Sequence, residues 1–315
     1  MKIAVIGAGL SGLSACWHLL EAHHEVTLFD SIGIGGGASG VSSGLLHPYP
    51  GEKGKRSWHA TECLQATEHL LAIASEAVGK SVILSKGILR EALNDEQAEQ
   101  FSLYTDYFRD VVKVEEKLFL ITSGMTIHTT LYLEGLWKAC QARGALLRLQ
   151  KIETLAELDH FDQILIAAGE GTFAFQECQG LPIKGIKGQL LTCRLPSDFN
   201  YPEYSRISKG YTAIGRMENC LEVGATYERS YASSLPDLEK AMRELGAKVK
   251  HLCPDAEIID CRSGIRIARK GHYLPLLKQL SEKCWVLTGM GSRGLLYHAF
   301  YGQQYAASLQ QEVLR

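Results

Sequence analysis

Lys2-Ile3-Ala4-Val5-Ile6 runs directly into Gly7-Ala8-Gly9-Leu10-Ser11-Gly12, and Glu25-Val26-Thr27-Leu28-Phe29-Asp30 follows shortly after. The first five residues are a short apolar run suited to a buried parallel strand. The three glycines open a helix expected over Leu13 to Glu21, and Glu25 to Phe29 reads as a second strand ending at Asp30. This is a βαβ unit. Each glycine meets a separate steric need. Gly7 permits the tight turn, Gly9 leaves the backbone bare for a pyrophosphate, and Gly12 lets helix and strand pack closely. The helix N-terminus then offers N–H donors and a partial positive charge to the phosphates. Asp30, 23 residues after Gly7, with Ser31 beside it, stands where ribose hydroxyls would be met. A carboxylate there disfavours a 2′-phosphate by like-charge repulsion. The pattern implies a dinucleotide and does not by itself separate NAD from FAD.

The next segment extends the argument. Gly36-Gly37-Ala38-Ser39-Gly40 is followed by Val41-Ser42-Ser43-Gly44-Leu45-Leu46-His47-Pro48-Tyr49. A long Gly/Ser stretch suits a cofactor that continues past the first turn, because bare N–H groups and hydroxyls can follow it. Gly40-Val41-Ser42-Ser43-Gly44 matches G-x-S-x-G only formally, since a glycine loop precedes it and no helical pattern follows.

The 315 residues include 46% hydrophobic and 22% charged residues, enough apolar material for one large domain or two joined ones. The net charge of −2 argues against a strongly basic nucleic-acid binder. Lys53, Lys55 and Arg56 form the sharpest basic cluster, which reads as a solvated loop, with contact to an RNA phosphate as the alternative. Nine cysteines without a C-x-x-C pair read as free thiols in a reducing cytoplasm. Neither these nor the histidines show zinc spacing, so no metal is expected. The apolar run 3–20 lacks a small-residue cleavage motif and is read as mature structure, and no transmembrane helix is expected.

Further along, helices are expected from about Arg56 to Ala77, from Glu96 to about Val111 capped by Asn94 or Asp95, from Leu131 to Arg143 capped by Thr129 or Thr130, and from Leu235 to Leu245. Leu146 to Leu149, Gln163 to Ala167 and Trp285 to Thr288 look like buried strands of the parallel sheet. Pro182 to Tyr227 reads as antiparallel sheet. A last helix follows the Gly289–Gly294 turn.

On these segments the chain resembles the D-amino-acid-oxidase-like (DAO) family of FAD-dependent oxidoreductases. Besides the first glycines and the Gly-Ala-Ser-Gly segment, four stretches are similar: Ile164-Leu165-Ile166-Ala167-Ala168-Gly169, Ile186-Lys187-Gly188-Gln189, Ser263-Gly264-Ile265-Arg266, and Gly289-Met290-Gly291-Ser292-Arg293-Gly294-Leu295. The Gly-Ser-Arg-Gly turn and the basic residues after Arg266 are further similar to the oxidase half of the MnmC type, which matures the wobble uridine of tRNA. The resemblance implies an α/β fold: a Rossmann-like FAD-binding domain built from residues 1–78, 125–180 and 256–315, and an antiparallel-sheet substrate domain from 79–124 and 181–255. It implies non-covalent FAD against Gly7, Gly9, Leu10, Ser11, Gly12, Asp30, Ser31, Gly37, Ala38, Ser39, Gly44, Leu45, Ala168, Gly169, Gly291, Ser292, Arg293, Gly294 and Leu295.

The resemblance also implies the reaction: a hydride passes from the α-carbon of an amine to flavin N5, and water hydrolyses the imine. The substrate is an amino acid or small amine; the alternative is a tRNA bearing a carboxymethylaminomethyl uridine. Dioxygen or another acceptor takes the electrons. Arg266 is the first candidate to hold a substrate carboxylate, because its planar fork suits bidentate contact. Arg293 is the second, with holding its own loop as the competing reading. His47 and Tyr49 either line the substrate pocket or only pack. A nicotinamide-binding or non-catalytic protein is the remaining reading, disfavoured by the later glycine segments.

Overall fold

The computed structural model of the chain describes residues 1–51 and 53–313; the last two residues of the segment drawn to 315 lie outside it. In chain order the elements begin with β1 (Lys2–Ile6), α1 (Leu10–Glu21), β2 (Glu25–Asp30), α2 (Ala38–Val41), β3 (Leu45–Leu46) and α3 (Ala60–Val78). There follow β4 (Ile83–Glu91), α4 (Asp95–Tyr107), β5 (Val111–Glu115), β6 (Leu118–Ile127), α5 (Thr129–Ala142), β7 (Leu146–Leu149) and β8 (Gln163–Ile166). The second half holds β9 (Ile183–Arg194), β10 (Ser205–Ser208), β11 (Gly210–Ile214), β12 (Cys220–Gly224), α6 (Leu238–Leu252), β13 (Glu257–Arg269), β14 (Leu276–Gln279), β15 (Cys284–Thr288) and α7 (Gly294–Val313).

Two sheets result. The first has six strands in the order β14-β15-β8-β1-β2-β7 and is parallel except for β14 at its edge. Its inner strands β1, β8 and β15 are buried on both faces, which is why they read as continuous apolar runs rather than alternating ones. Ile3 and Val5 pack with Leu13, Leu70, Leu133 and Leu136 of the helices on one side. Ala4 and Ile6 pack with Phe29, Phe161 and Phe175 on the other.

The second sheet has nine strands in the order β13-β9-β12-β11-β10-β4-β6-β3, with β5 paired to β6. It is antiparallel except between β10 and β4. Against its β9 and β12 lies α6, which places Ala241, Leu245 and Val249 at four-residue spacing on Leu191 and Val223. Membership of the sheets differs from the division drawn from the sequence at two strands: β3 and β13 pair in the nine-stranded sheet, although 45–46 and 257–269 were grouped with the nucleotide-binding segments. Both strands therefore belong to the second sheet.

Helix ends follow capping chemistry, with two adjustments. Asn94 accepts from the Gln97 N–H at 2.9 Å, as its side chain predicts. The cap of α5 is His128 and neither Thr129 nor Thr130, because the imidazole Nδ1 accepts the Leu131 N–H at 3.2 Å. The third helix starts at Ala60, not near Arg56, since His59 takes a left-handed conformation (φ 46°) that cannot continue a helix backwards. No helix among the described residues is long and apolar enough to cross a membrane.

Candidate functional site

Five parallel strands end along one edge of the first sheet, the position where open α/β sheets receive ligands. From β1 the chain enters Gly7, whose φ of +111° is open to glycine and strained for other residues. A Cβ there would collide with the carbonyl oxygen of Ala167, at the end of β8. Gly9 is the N-cap of α1 and has no side chain to satisfy the helix N–H groups. The Leu10 N–H donates to Ser39 Oγ at 3.1 Å, so the Gly-Ala-Ser-Gly segment lies directly against the first glycine turn. Ser11 and Gly12 follow in the first turn of α1.

Gly37 caps α2, and a Cβ placed on it would meet nothing within 4 Å. The same holds for Gly169, which follows Ala168 beyond the end of β8. Beyond β15, the Gly291 N–H donates to the Ile267 carbonyl at 2.7 Å, and Gly294 faces Leu10. The glycine segments singled out from the sequence are thus brought to one edge of one sheet. Asp30 also reaches this edge, but most of its carboxylate is already engaged. Oδ2 accepts the Ala8 N–H at 2.8 Å, and Oδ1 accepts the N–H groups of Ile32 and Gly33 at 2.9 Å each. Of roughly four acceptor positions, three are filled by the backbone of the two turns, so Asp30 also holds those turns together. Ser31 is exposed beside it.

Arg266 projects from β13 beside Gly188 of β9, where any Cβ would collide with its guanidinium. Its Nη2 donates to the Thr226 carbonyl at 3.0 Å, and its plane lies 5.6 Å from the Tyr227 ring centre. Burial lowers its pKa from the usual arginine value. Among the described residues no carboxylate makes an ion pair with it, so a purely structural ion pair does not account for this arginine. Burial pushes the phenol of Tyr211, from β11, up to about 12 against the smaller opposing pulls of Ser43 and Arg266. Neither tyrosine stands out in the sequence, because Tyr211 arrives from β11 and Tyr227 from the segment after β12.

His47 and Arg293 meet around a cavity of about 30 Å³ that Leu45, Ser292 and Leu295 also line. Burial, then Arg90, then Arg293, hold His47 down at about 3, so its ring is neutral at physiological pH. Its Nδ1 accepts the Tyr49 N–H at 3.3 Å. Arg293 donates from Nη1 to the Tyr273 carbonyl at 3.0 Å and sits 4.9 Å from that ring centre. It therefore holds the 270–275 loop, as the competing reading of this residue expects. Gly44 packs against the Ile127 backbone, and its carbonyl accepts the Ile127 N–H at 2.9 Å.

Of the two readings of Tyr49, the structure removes lining of the pocket and leaves packing. Its ring is fully buried against Phe101, its hydroxyl donates to Asp110 at 2.8 Å, and Arg56 Nη1 donates to that hydroxyl at 2.6 Å. Arg56 and Asp110 form an ion pair at 3.0 Å. The carboxylate draws the Tyr49 phenol away from the cavity that His47 lines, so Tyr49 packs and hydrogen-bonds. Arg56, grouped with the basic loop, is likewise a structural residue. Among the described residues no group of three or more His, Cys, Asp or Glu is placed to hold a metal.

Comparison with known proteins agrees with this geometry. Residues 2–308 match the DAO family, described as FAD dependent oxidoreductase. The tRNA 5-methylaminomethyl-2-thiouridine biosynthesis bifunctional protein MnmC of Maricaulis maris is 24% identical over 98% of this chain. The chain spans about half of that relative, 52% of its length. Among solved structures, glycine oxidase from Geobacillus kaustophilus superposes with a TM-score of 0.83 at 19% identity, covering 98% of this chain and 95% of the other. Iminodiacetate oxidase from Chelativorans sp. BNC1 gives 0.82 at 19% identity, with coverage of 98% and 95%. At such identities the two structures establish the shared fold.

Proposed function

We propose that this chain, which belongs to the DAO family of FAD-dependent oxidoreductases, oxidises the C–N bond of an amine that carries a carboxylate, either an amino acid or a secondary amine. The observation that carries this reading is Arg266, a largely buried guanidinium with one backbone carbonyl partner and, among the described residues, no ion-pair partner. Buried charge of one sign is normally paired, and here the partner that fits the fork is the carboxylate of a substrate.

The residues present fit non-covalent FAD. The N-terminus of α1 is capped only through Ser39, bare faces stand at Gly37 and Gly169, and all lie on the same sheet edge. Gly7, Gly9, Leu10, Ser11 and Gly12, with Gly37, Ala38 and Ser39, would hold the diphosphate, and Asp30 with Ser31 the ribose. Gly44, Leu45, Ala168, Gly169 and Gly291 to Leu295 would line the path of the flavin. FAD supplies, when bound, a two-electron acceptor for the hydride on the carbon beside the amine nitrogen.

Arg266 fixes the orientation of that carbon through the carboxylate. His47, neutral across the physiological range, adds no positive charge of its own to the cavity it shares with Arg293. The apolar walls at Leu45 and Leu295 limit water at the reacting end. The oxidised substrate is an imine, which water hydrolyses to an oxo acid and a smaller amine. Electrons leave to dioxygen or another acceptor.

A second reading, removal of the carboxymethyl group from a carboxymethylaminomethyl uridine of tRNA, is favoured by two exposed tyrosines that sit beside arginines. Tyr273, 81% exposed, lies under Arg293, and Tyr227, 56% exposed, lies near both Arg266 and Arg229. Exposed aromatic rings beside guanidinium groups are what unstacked bases require. The two readings are separated by anaerobic titration of the FAD-loaded protein, followed by its visible spectrum. Bleaching by glycine, sarcosine or a D-amino acid supports a metabolite oxidase. Bleaching only by tRNA bearing the modified uridine supports the second reading. Bleaching by neither overturns both.

A further inference from the structure

Arg216 lies in the turn between β11 and β12 of the second sheet, yet most of its bonds are made to the glycine-rich segment of the first. Its Nη1 donates to the Gly40 carbonyl at 2.9 Å, and its Nη2 donates to the Val41 and Ser42 carbonyls at 3.2 Å each. These carbonyls stand at the C-terminal end of α2, the turn whose N-terminal end carries Gly37, Ala38 and Ser39. The guanidinium is aimed by its remaining edge: Nε donates to Glu222 Oε1 at 3.2 Å. Glu222 is almost wholly buried on β12 and is itself fixed by Arg262 Nη2 at 2.5 Å. Arg262 is held in turn by Asp260 at 3.3 Å and Thr192 at 3.3 Å.

This chain of bonds ties three strands of the second sheet to one short turn. The same turn is gripped elsewhere: Thr129 Oγ1 donates to the Ser42 carbonyl at 2.9 Å, and Ala38 lies against Gly264 of β13. Ser39, at its near end, touches the Leu10 N–H of α1. A guanidinium that makes three carbonyl contacts and one carboxylate contact specifies position as well as charge, which a lysine ammonium does not.

We propose that Arg216, aimed by Glu222, is a positioning residue that fixes the 38–44 segment against the N-terminus of α1 and thereby sets how tightly the enzyme holds FAD. Arg216 acts through the segment and touches neither cofactor nor substrate. The assignment rests on the cofactor placement proposed above. It also links the two sheets: the substrate sheet, through β12, holds the cofactor segment in place.

The test uses the full chain, FAD-free and then titrated with FAD, with binding followed by quenching of flavin fluorescence. In Arg216→Met the Kd for FAD rises tenfold or more, and in Arg216→Lys by a smaller factor, because one donor group replaces a fork. Limited proteolysis gives a readout independent of activity: without FAD, both variants are cut faster than wild type within residues 37–44, and saturating FAD restores protection. At saturating FAD the KM for a carboxylate-bearing amine stays within twofold of wild type. A Kd within twofold of wild type, with unchanged cutting at 37–44, overturns the role of Arg216. Should Arg216→Met fail to fold, the same two readings on Arg216→Lys decide. A wild-type chain that takes up no FAD overturns the cofactor placement itself, a result distinct from an unaffected variant beside a wild type that binds.

Discussion

Arg266 Nη2 lies 3.0 Å from the carbonyl oxygen of Thr226, and this is the one hydrogen bond that holds the guanidinium in place among the described residues. One carbonyl leaves most of the five N–H donors of an arginine unanswered. Substituting methionine keeps the length and apolar stem and removes the fork. Arg266→Met raises the KM for a carboxylate-bearing amine about a hundredfold, equivalent to about 3 kcal/mol for a charge-assisted pair, while FAD stays bound. Steady-state kinetics at saturating FAD check this; unchanged KM removes Arg266 from the substrate site.

Gly9→Val removes flavin retention. A Cβ at Gly9 would lie 2.8 Å from Ser39 Oγ, the end of a small side chain that can turn aside, so the fold survives. The valine then occupies the space beside the helix N-terminus that a diphosphate needs. The purified variant should be colourless and have a Kd for FAD at least a hundredfold weaker, about 3 kcal/mol. A yellow, fully loaded variant with a wild-type melting curve contradicts the cofactor placement.

Tyr49→Phe leaves turnover within about twofold of wild type, under about 0.5 kcal/mol in barrier height, because the hydroxyl serves Asp110 and Arg56. Stability falls by about 1–2 kcal/mol, the usual loss when one member of a hydrogen-bonded group is removed. Denaturant unfolding and kcat measured on the same preparation separate the two effects. A large loss of kcat with normal FAD binding returns Tyr49 to the site.

His298 gives the chain an acid-sensitive joint. Its ring is fully buried, with Nδ1 3.0 Å from the Gly294 carbonyl and Nε2 2.6 Å from the Tyr132 hydroxyl. Burial holds its pKa at about 4. The unfolded chain takes up this proton near 6.5 and the folded chain does not until about 4, so stability is lost as pH falls through that window. Between pH 7 and pH 5 the loss from this residue is about 2 kcal/mol. His47, also depressed, adds in the same direction. Unfolding free energies at the two pH values test this, and His298→Gln should flatten the slope. An unchanged slope in that variant contradicts the assignment.

The cofactor edge was legible because its glycines answer steric needs a few residues apart. Gly7 must avoid Ala167, and Gly9 and Gly12 open a helix, so local spacing carries the information. Strands β4 and β6 were not legible. A register shift between Lys86 and Ile88, with Gly87 at φ +94°, breaks the alternation of one strand. Polar Thr122-Ser123-Gly124 interrupts the other. The substrate side was legible only at Arg266. Tyr211 and Tyr227 come to Arg266 through the second sheet, and Arg216 comes through it to the 40–42 carbonyls, so their placement depends on strand pairing rather than local pattern. Which of its two readings Tyr49 takes was not legible, because its partner Asp110 lies 61 residues away.

The most direct measurement is anaerobic reduction of the FAD-loaded protein by paired compounds, each carboxylate-bearing amine beside its counterpart lacking the carboxylate. Sarcosine would stand beside dimethylamine, and carboxymethylaminomethyluridine in tRNA beside its methylaminomethyl form. The account predicts that at least one carboxylate-bearing member bleaches the flavin band and that its counterpart does not. A protein that takes up no FAD, or a flavin reduced equally by both members of a pair, would contradict it.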